Sequence, residues 1–155
     1  YEVLHASGIG RAALQGSPTG VLLGIISHDF KAAVSESVLF INGNLHSIAA
    51  GRLAYVLDLH GPSVAIDTGC SSSLVACHST SRALHNAECV LGVTAGVNII
   101  LDASVSQGLA TMLLTASRSR VFDVSADGYA RAEMSAAVLL RPSTHARVVD
   151  GGAPV

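Results

Sequence analysis

The stretch Ser63–His85 reads S-V-A-I-D-T-G-C-S-S-S-L-V-A-C-H-S-T-S-R-A-L-H. Ser63 to Asp67 is a short, apolar, partly β-branched run, the composition of a buried strand. Thr68 and Gly69 break it, and Ser71 opens a run of helical character. Leu74, Val75, Cys77, His78, Ser81, Arg82 and Leu84 recur at helical spacing, with serine at the start to cap free backbone N–H groups. Cys70 therefore falls at a strand-to-helix turn. The partial positive charge of a helix N-terminus favours a thiolate. The same N–H groups can donate to an oxygen that becomes negative while a thioester or ester is attacked. Three following serines and Gly69 leave the sulfur in polar, unobstructed surroundings, as a nucleophile requires. A cysteine in a turn is also commonly a small packed apolar residue, and the local pattern leaves both readings standing.

Upstream, Tyr1–Gly8 reads as the last turns of a helix closed by Gly8, and Ile9 to Pro18 as a loop. Thr19 to Ser27 is apolar nearly throughout and predicts a strand covered on both faces. His28, Asp29 and Phe30 follow it as ordinary connecting residues, and Lys31 to Phe40 reads as a short helix or irregular lid. Asn44 is the expected N-cap of a helix from Leu45 to about Leu57. Ile48, Ala49, Arg52, Leu53, Tyr55 and Val56 would form its apolar face, and Ala49, Ala50, Gly51 and Ala54 would allow close approach to a sheet. Downstream, Glu88 to Ile100 predicts a second buried strand, reached in the βαβ manner, with Gly92 and Gly96 leaving room above the sheet. Val105 to Leu114 is helix-like, Phe122 to Glu133 a loop, Ser135 to Leu140 a last strand, and Pro142 to Val149 a short helix.

With D-T-G-C-S-S-S-L-V-A at Asp67 to Ala76, the chain resembles the active-site stretch of β-ketoacyl synthases, specifically the ketosynthase domains of type I polyketide synthases. Asn44–Tyr55, Leu59–Ser63, Ala95–Asn98 and Phe122–Glu133 resemble further family signatures in the family's order. The commoner family form has Ala at Gly69, and Gly at Ala132 and Met134. The last two departures raise the prospect of strain if the loop needs a positive φ there. The resemblance implies the N-terminal part of a thiolase-like layered α/β fold, helix–sheet–helix, over residues 1–155. It also implies that the strand ending at His28–Phe30 helps frame a domain edge. Gln107, Leu109 and Met112 would wall an acyl pocket, against the plainer reading that they pack the core.

By the same resemblance Cys70 would take an acyl group from a phosphopantetheine thioester. A malonyl-type extender on acyl carrier protein would lose CO₂, and its enolate would attack the acyl-enzyme, in polyketide or fatty-acid biosynthesis. The partners implied are acyl carrier protein, acyl and malonyl thioesters, and a second copy in a homodimer; no directly bound cofactor is implied. The family stabilises the enolate with two histidines. None of His5, His28, His46, His60, His78, His85 and His145 lies in a matching motif, so the chain alone is expected to be inactive in condensation. Two rivals remain: a non-catalytic scaffold for carrier-protein docking, and a Cys/Ser hydrolase. A hydrolase elbow needs small residues, usually Gly, two positions either side of the nucleophile. Thr68 and Ser72 flank Cys70, and Cys70 and Leu74 flank Ser72, which breaks the pattern twice.

Composition narrows the classes further. The 155 residues are 50% hydrophobic and 13% charged, enough to bury one α/β core. A net charge of −2 without a basic patch speaks against nucleic acid. No apolar stretch reaches the length of a membrane span, and no signal pattern opens the chain. Three cysteines without ligand spacing suggest neither metal nor disulfide scaffold, consistent with a reducing setting, cytoplasmic or within an organelle. A start at Tyr1, inside what reads as a helix, would suit an internal fragment of a longer polypeptide.

Overall fold

The computed structural model describes residues 2–26, 29, 43–101 and 118–143. Its elements in chain order are α1 (Glu2–Ala6), α2 (Arg11–Leu14), β1 (Thr19–Ile25), α3 (His46–Leu57), β2 (Ser63–Ile66), α4 (Ser72–His85), β3 (Leu91–Asn98) and β4 (Met134–Leu140). The four strands form one sheet in the order β2-β1-β3-β4. β1 is parallel to both its neighbours, and β4 runs antiparallel to β3. Lying centrally and covered on both faces, β1 is buried along nearly its whole length, as its apolar run requires.

The chain leaves β1 towards β2 through α3, then returns across β1 to β3 through α4. Crossovers of one hand taken in opposite directions send the two helices to opposite faces. Strand alternation bears this out. Val21, Leu23 and Val93 join Leu4, Leu14, Ala50 and Leu59 in a core on the α3 side. Gly24, Gly92, Thr94 and Gly96 face α4 instead. The result is the expected helix–sheet–helix layering.

All three longer helical segments end in the same way. Gly8, Asp58 and Ala87 take φ of +72°, +55° and +57°. The next residue's N–H reaches back five positions, Ile9 to Leu4, Leu59 to Ala54 and Glu88 to Ala83. These paired bonds satisfy last-turn carbonyls, which offsets the left-handed strain at Asp58 and Ala87.

Five local expectations need correction. The segment between Ile9 and Pro18 is not only loop, since Arg11–Leu14 makes a helical turn that buries Leu14. Asn44 does not cap α3. Asn44 is itself helical, and the extended residue in the cap position is Leu45, which offers no side-chain acceptor. The apolar face of α3 is also displaced. Ala50 is fully buried with Ala49, Ala54 and Leu57 packed beside it, whereas Tyr55 is 87% exposed and Val56 and Leu53 also face outward. Nothing lies within 4 Å of a β-carbon added at Gly51, so Gly51 is not part of the close approach. Finally, Ser71 makes no side-chain cap on α4. Residues 31–40, 105–114 and 144–149 lie outside the described residues.

Beneath α4, Thr80 donates to the Ala76 carbonyl at 2.8 Å, so its oxygen accepts from the Thr94 hydroxyl at 2.6 Å. Both threonines are buried. Thr80→Val should strand the Thr94 hydroxyl and cost about 1–3 kcal/mol in denaturant unfolding. Adding Thr94→Val should recover part of that loss, because no buried donor then lacks an acceptor. A double variant less stable than the sum of the singles would contradict this coupling.

Candidate functional site

In a sheet whose connections leave in opposite directions, a crevice opens at the carboxyl ends of the strands flanking the reversal. Here that reversal lies between β1 and β3, and the turn after β2 delivers Cys70 to the same end. A cavity of about 370 Å³ occupies this position. Gly24 and Ile26 from the end of β1, Gly96 and Asn98 from the end of β3, and Met134 from the start of β4 contribute to its wall. Cys70 and Cys77 also line it. Its volume falls within the range of small-molecule sites. α4 packs over β1 and β3, and the cavity fills the step between that helix and β4.

The turn carrying Cys70 is stitched by side chains from both of its ends. Asp67 Oδ1 accepts the Gly69 N–H at 3.0 Å. Ser71 Oγ donates to the Thr68 carbonyl at 2.9 Å. Ser72 Oγ donates to the Gly69 carbonyl at 2.6 Å and accepts the Thr68 N–H at 2.9 Å. The serines therefore hold the turn closed instead of capping the helix. Gly69 sits at φ +65°, where a β-carbon costs about 1–2 kcal/mol. Glycine thus suits this backbone better than alanine would. Cys70 itself is exposed at the apex.

The two remaining cysteines differ from it. Cys77 lines the same cavity two helical turns further on, so it is not confined to the helix interior. Cys89 is buried, and that burial is the main cause of a thiol pushed above its usual range, reinforced by Glu88 and opposed by a hydrogen bond with the Gly20 backbone.

Loop 118–133 is tied to the far wall. Asn98 Nδ2 donates to the Ala132 carbonyl at 2.6 Å, and the Ile100 N–H donates to Glu133 Oε1 at 2.7 Å. Two of the stretches singled out in the sequence, Ala95–Asn98 and Phe122–Glu133, thus clasp each other beside Met134. Neither Ala132 nor Met134 takes a positive φ, so the strain anticipated for them is absent. Within the loop, Ser125 donates through Oγ and N–H to Asp123 Oδ1, holding that exposed carboxyl below its ordinary range.

Sequence reasoning placed Cys70 at a strand-to-helix turn, where the structure has it, but missed the structural work of Asp67, Thr68, Ser72 and Asn98. Asp67 two positions before glycine was a readable turn signal; the Asn98 clasp, 34 residues long in sequence, had none. Asp29 is more than a connector, since its Oδ2 accepts the Leu101 N–H at 3.2 Å and joins the exits of β1 and β3. Gln107, Leu109 and Met112, and likewise His28, Phe30 and His145, lie outside the described residues. Of the five described histidines, none lines the cavity. Among the described residues no cluster of three His, Cys, Asp or Glu could hold a metal, and no helix is long and apolar enough to cross a membrane.

Residues 1–146 match the family model described as β-ketoacyl synthase, N-terminal domain. Fumosorinone synthetase of Cordyceps fumosorosea is 45% identical over 148 residues, covering 91% of this chain and 4% of that protein. A non-reducing polyketide synthase of Penicillium canescens is 40% identical over 158 residues, covering 97% of this chain and 6% of that protein. Among solved structures, the ketosynthase from module 6 of the bacillaene synthase of Bacillus subtilis 168 superposes with a TM-score of 0.82 at 31% identity, covering 92% of this chain and 25% of that one. The oxazolomycin ketosynthase domain of Streptomyces albus JA3453 gives a TM-score of 0.82 at 36% identity, covering 92% and 26%. The chain thus spans about 4–6% of the length of the curated relatives it matches.

Proposed function

Because the chain belongs to the β-ketoacyl synthase family, as N-terminal sequence of a type I polyketide synthase ketosynthase with the thiolase-like fold, we propose that Cys70 is the residue that accepts the acyl group. The carrying observation is its exposed thiol at the apex of a stitched turn on the wall of a cavity. In the complete protein the Cys70 thiolate attacks the carbonyl carbon of an acyl thioester borne on the phosphopantetheine of acyl carrier protein. The C–S bond to the carrier breaks, and the carrier thiol leaves with the proton that Cys70 gave up. A malonyl thioester then loses CO₂, and the electron pair of the broken C–C bond becomes an enolate. Its carbon attacks the acyl carbonyl, a new C–C bond forms, and the C–S bond to Cys70 breaks to regenerate the thiolate. The partial positive charge at the N-terminus of α4 favours the transient oxyanion. The chain alone should give no condensed product, since none of its seven histidines lies in a motif that matches the family's two enolate-stabilising histidines.

The test is to treat the complete protein with an acyl thioester and map the adduct by peptide mass spectrometry. An acyl group on Cys70 supports the reading. One on Cys77, Cys89 or a serine contradicts it, and no adduct at all favours the carrier-docking scaffold.

A two-fold dimer through β2 belongs to the same proposal. β2 is the end strand of the sheet, with its outer edge unpaired among the described residues and Val64 42% exposed. Such an edge invites pairing with a second copy, and a two-fold contact places one substitution on both sides. Val64→Lys or Ala65→Lys should convert the dimer to monomer in size-exclusion chromatography with light scattering, and slow acylation at the adjacent Cys70 turn. A wild-type protein that is a stable, active monomer would refute it.

A further inference from the structure

The contact between the first turn of α4 and the sheet is unusually close. A β-carbon placed on Gly24 would stand 2.6 Å from the Ser73 nitrogen, 2.7 Å from the Ser72 carbonyl carbon and 2.8 Å from the Ser73 α-carbon. One placed on Gly96 would overlap Ser73 Oγ and stand 3.0 Å from Ser73 Cβ. Gly24 and Gly96 are direct partners in the β1–β3 register. Together they make a two-glycine seat on which the helix backbone rests. Seven residues further along, the same helix is fastened by the Thr80–Thr94 hydroxyl bond at 2.6 Å, with Thr80 packed over Gly92. The helix is thus held at two points, a latch in its second half and a seat at its N-terminus. Cys70 lies beyond the seat, on the side away from the latch.

We infer that Gly24 and Gly96 are positioning residues that set the height of Cys70 above the sheet, and with it the reach of the thiolate to the acyl carbonyl. An inference of this kind rests on the assignment of Cys70 as acyl acceptor. A methyl group on Gly24 meets backbone and lifts the first turn, whereas one on Gly96 crowds Ser73, whose Oγ can turn aside while its Cβ stays close at 3.0 Å. At Gly24 the helix nitrogen must withdraw from 2.6 Å to ordinary contact at 3.4 Å or more, about 0.8 Å. Because the latch holds the other half, that lift tilts the helix and moves Cys70 by at least as much. A displacement of about 1 Å in a reacting group can cost on the order of 10²-fold in rate. Gly24, Ser72, Ser73 and Gly96 also line the cavity, so its wall shifts with the turn.

The two glycines act against different atoms, which separates positioning from general damage. Gly24 meets backbone, and no change of side chain can relieve that contact. Gly96 meets only the Ser73 side chain, which Ser73→Gly removes.

In the complete protein, the acylation rate of Cys70 at saturating acyl thioester and the half-saturating thioester concentration are measured for Gly24→Ala, Gly96→Ala, Ser73→Gly and both double variants. Gly24→Ala should lower the saturated rate by about 10–10²-fold and Gly96→Ala by less, with the half-saturating concentration moving less than about threefold. Gly96→Ala with Ser73→Gly should return to within about threefold of Ser73→Gly alone. Gly24→Ala with Ser73→Gly should stay slow. Should Gly96→Ala fail to fold while its double variant folds and acylates, that rescue equally supports the seat. Gly24→Ala acylating at the wild-type rate, or a Gly96→Ala, Ser73→Gly double variant that stays slow or unfolded, overturns the inference. Wild-type protein that carries no acyl group on Cys70 would overturn the assignment of Cys70 itself, a result distinct from any of these.

Discussion

Cys70→Ala in the complete protein should abolish the acyl-enzyme and lower condensation by on the order of 10⁴-fold or more, the scale seen when a covalent nucleophile is removed. The fold should survive, because Cys70 is exposed and its turn is held by Asp67, Thr68, Ser71 and Ser72. Cys77→Ala should keep an adduct on Cys70, although it widens the cavity that Cys77 helps to line. Cys89 should resist iodoacetamide in native protein, since it is buried and its thiol is held in the neutral form. Intact-mass and peptide-mass measurements after a brief acyl thioester pulse distinguish the three. A Cys70→Ala protein that still elongates acyl chains would end the assignment.

The largest stability effect is expected at Gly61. The chain from Leu59 to Pro62 is laid against the start of β1 by main-chain bonds, His60 N–H to Ser17, Gly61 N–H to Thr19 and Val21 N–H to Pro62. A β-carbon on Gly61 would overlap the Thr19 carbonyl and stand 2.6 Å from the Gly20 nitrogen. Neither obstacle is a side chain that can turn aside. Gly61→Ala must therefore push β2 away from the central strand, at about 1–3 kcal/mol or more. Gly51→Ala supplies the opposite sign. Gly51 is helical with open space at its β-carbon, so alanine there should stabilise by about 0.5–1 kcal/mol through helix propensity. Denaturant unfolding of the two variants against wild type checks both. A Gly61→Ala protein within about 0.5 kcal/mol of wild type would mean that the strand pair yields freely, contrary to the buried state of Thr19.

The two glycines look alike as letters, and of Ala49, Ala50, Gly51 and Ala54, all expected at the close approach, Ala50 is buried in the core while Gly51 has open space at its β-carbon. The face of α3 went wrong for a related reason. Hydrophobic size pointed to Leu53, Tyr55 and Val56, but a helix resting close on a sheet turns its alanines inward.

What local chemistry determines was readable in the residues. An unbroken apolar run made β1 a central strand, and the period change after Asp67 put Cys70 at a strand-to-helix turn. Gly8 closed α1 because a positive φ favours glycine there. The tertiary structure alone decided the rest. The Ser71 and Ser72 hydroxyls could cap forwards or stitch backwards with equal local plausibility, and the path of the turn selected the second. Gly24 and Gly96 lie 72 residues apart, and only parallel pairing of β1 with β3 makes them one seat under α4. Asn98 and Ala132 meet only because β4 folds back on β3. Contacts at such separation depend on strand register and helix height, which side-chain periodicity within one segment does not encode.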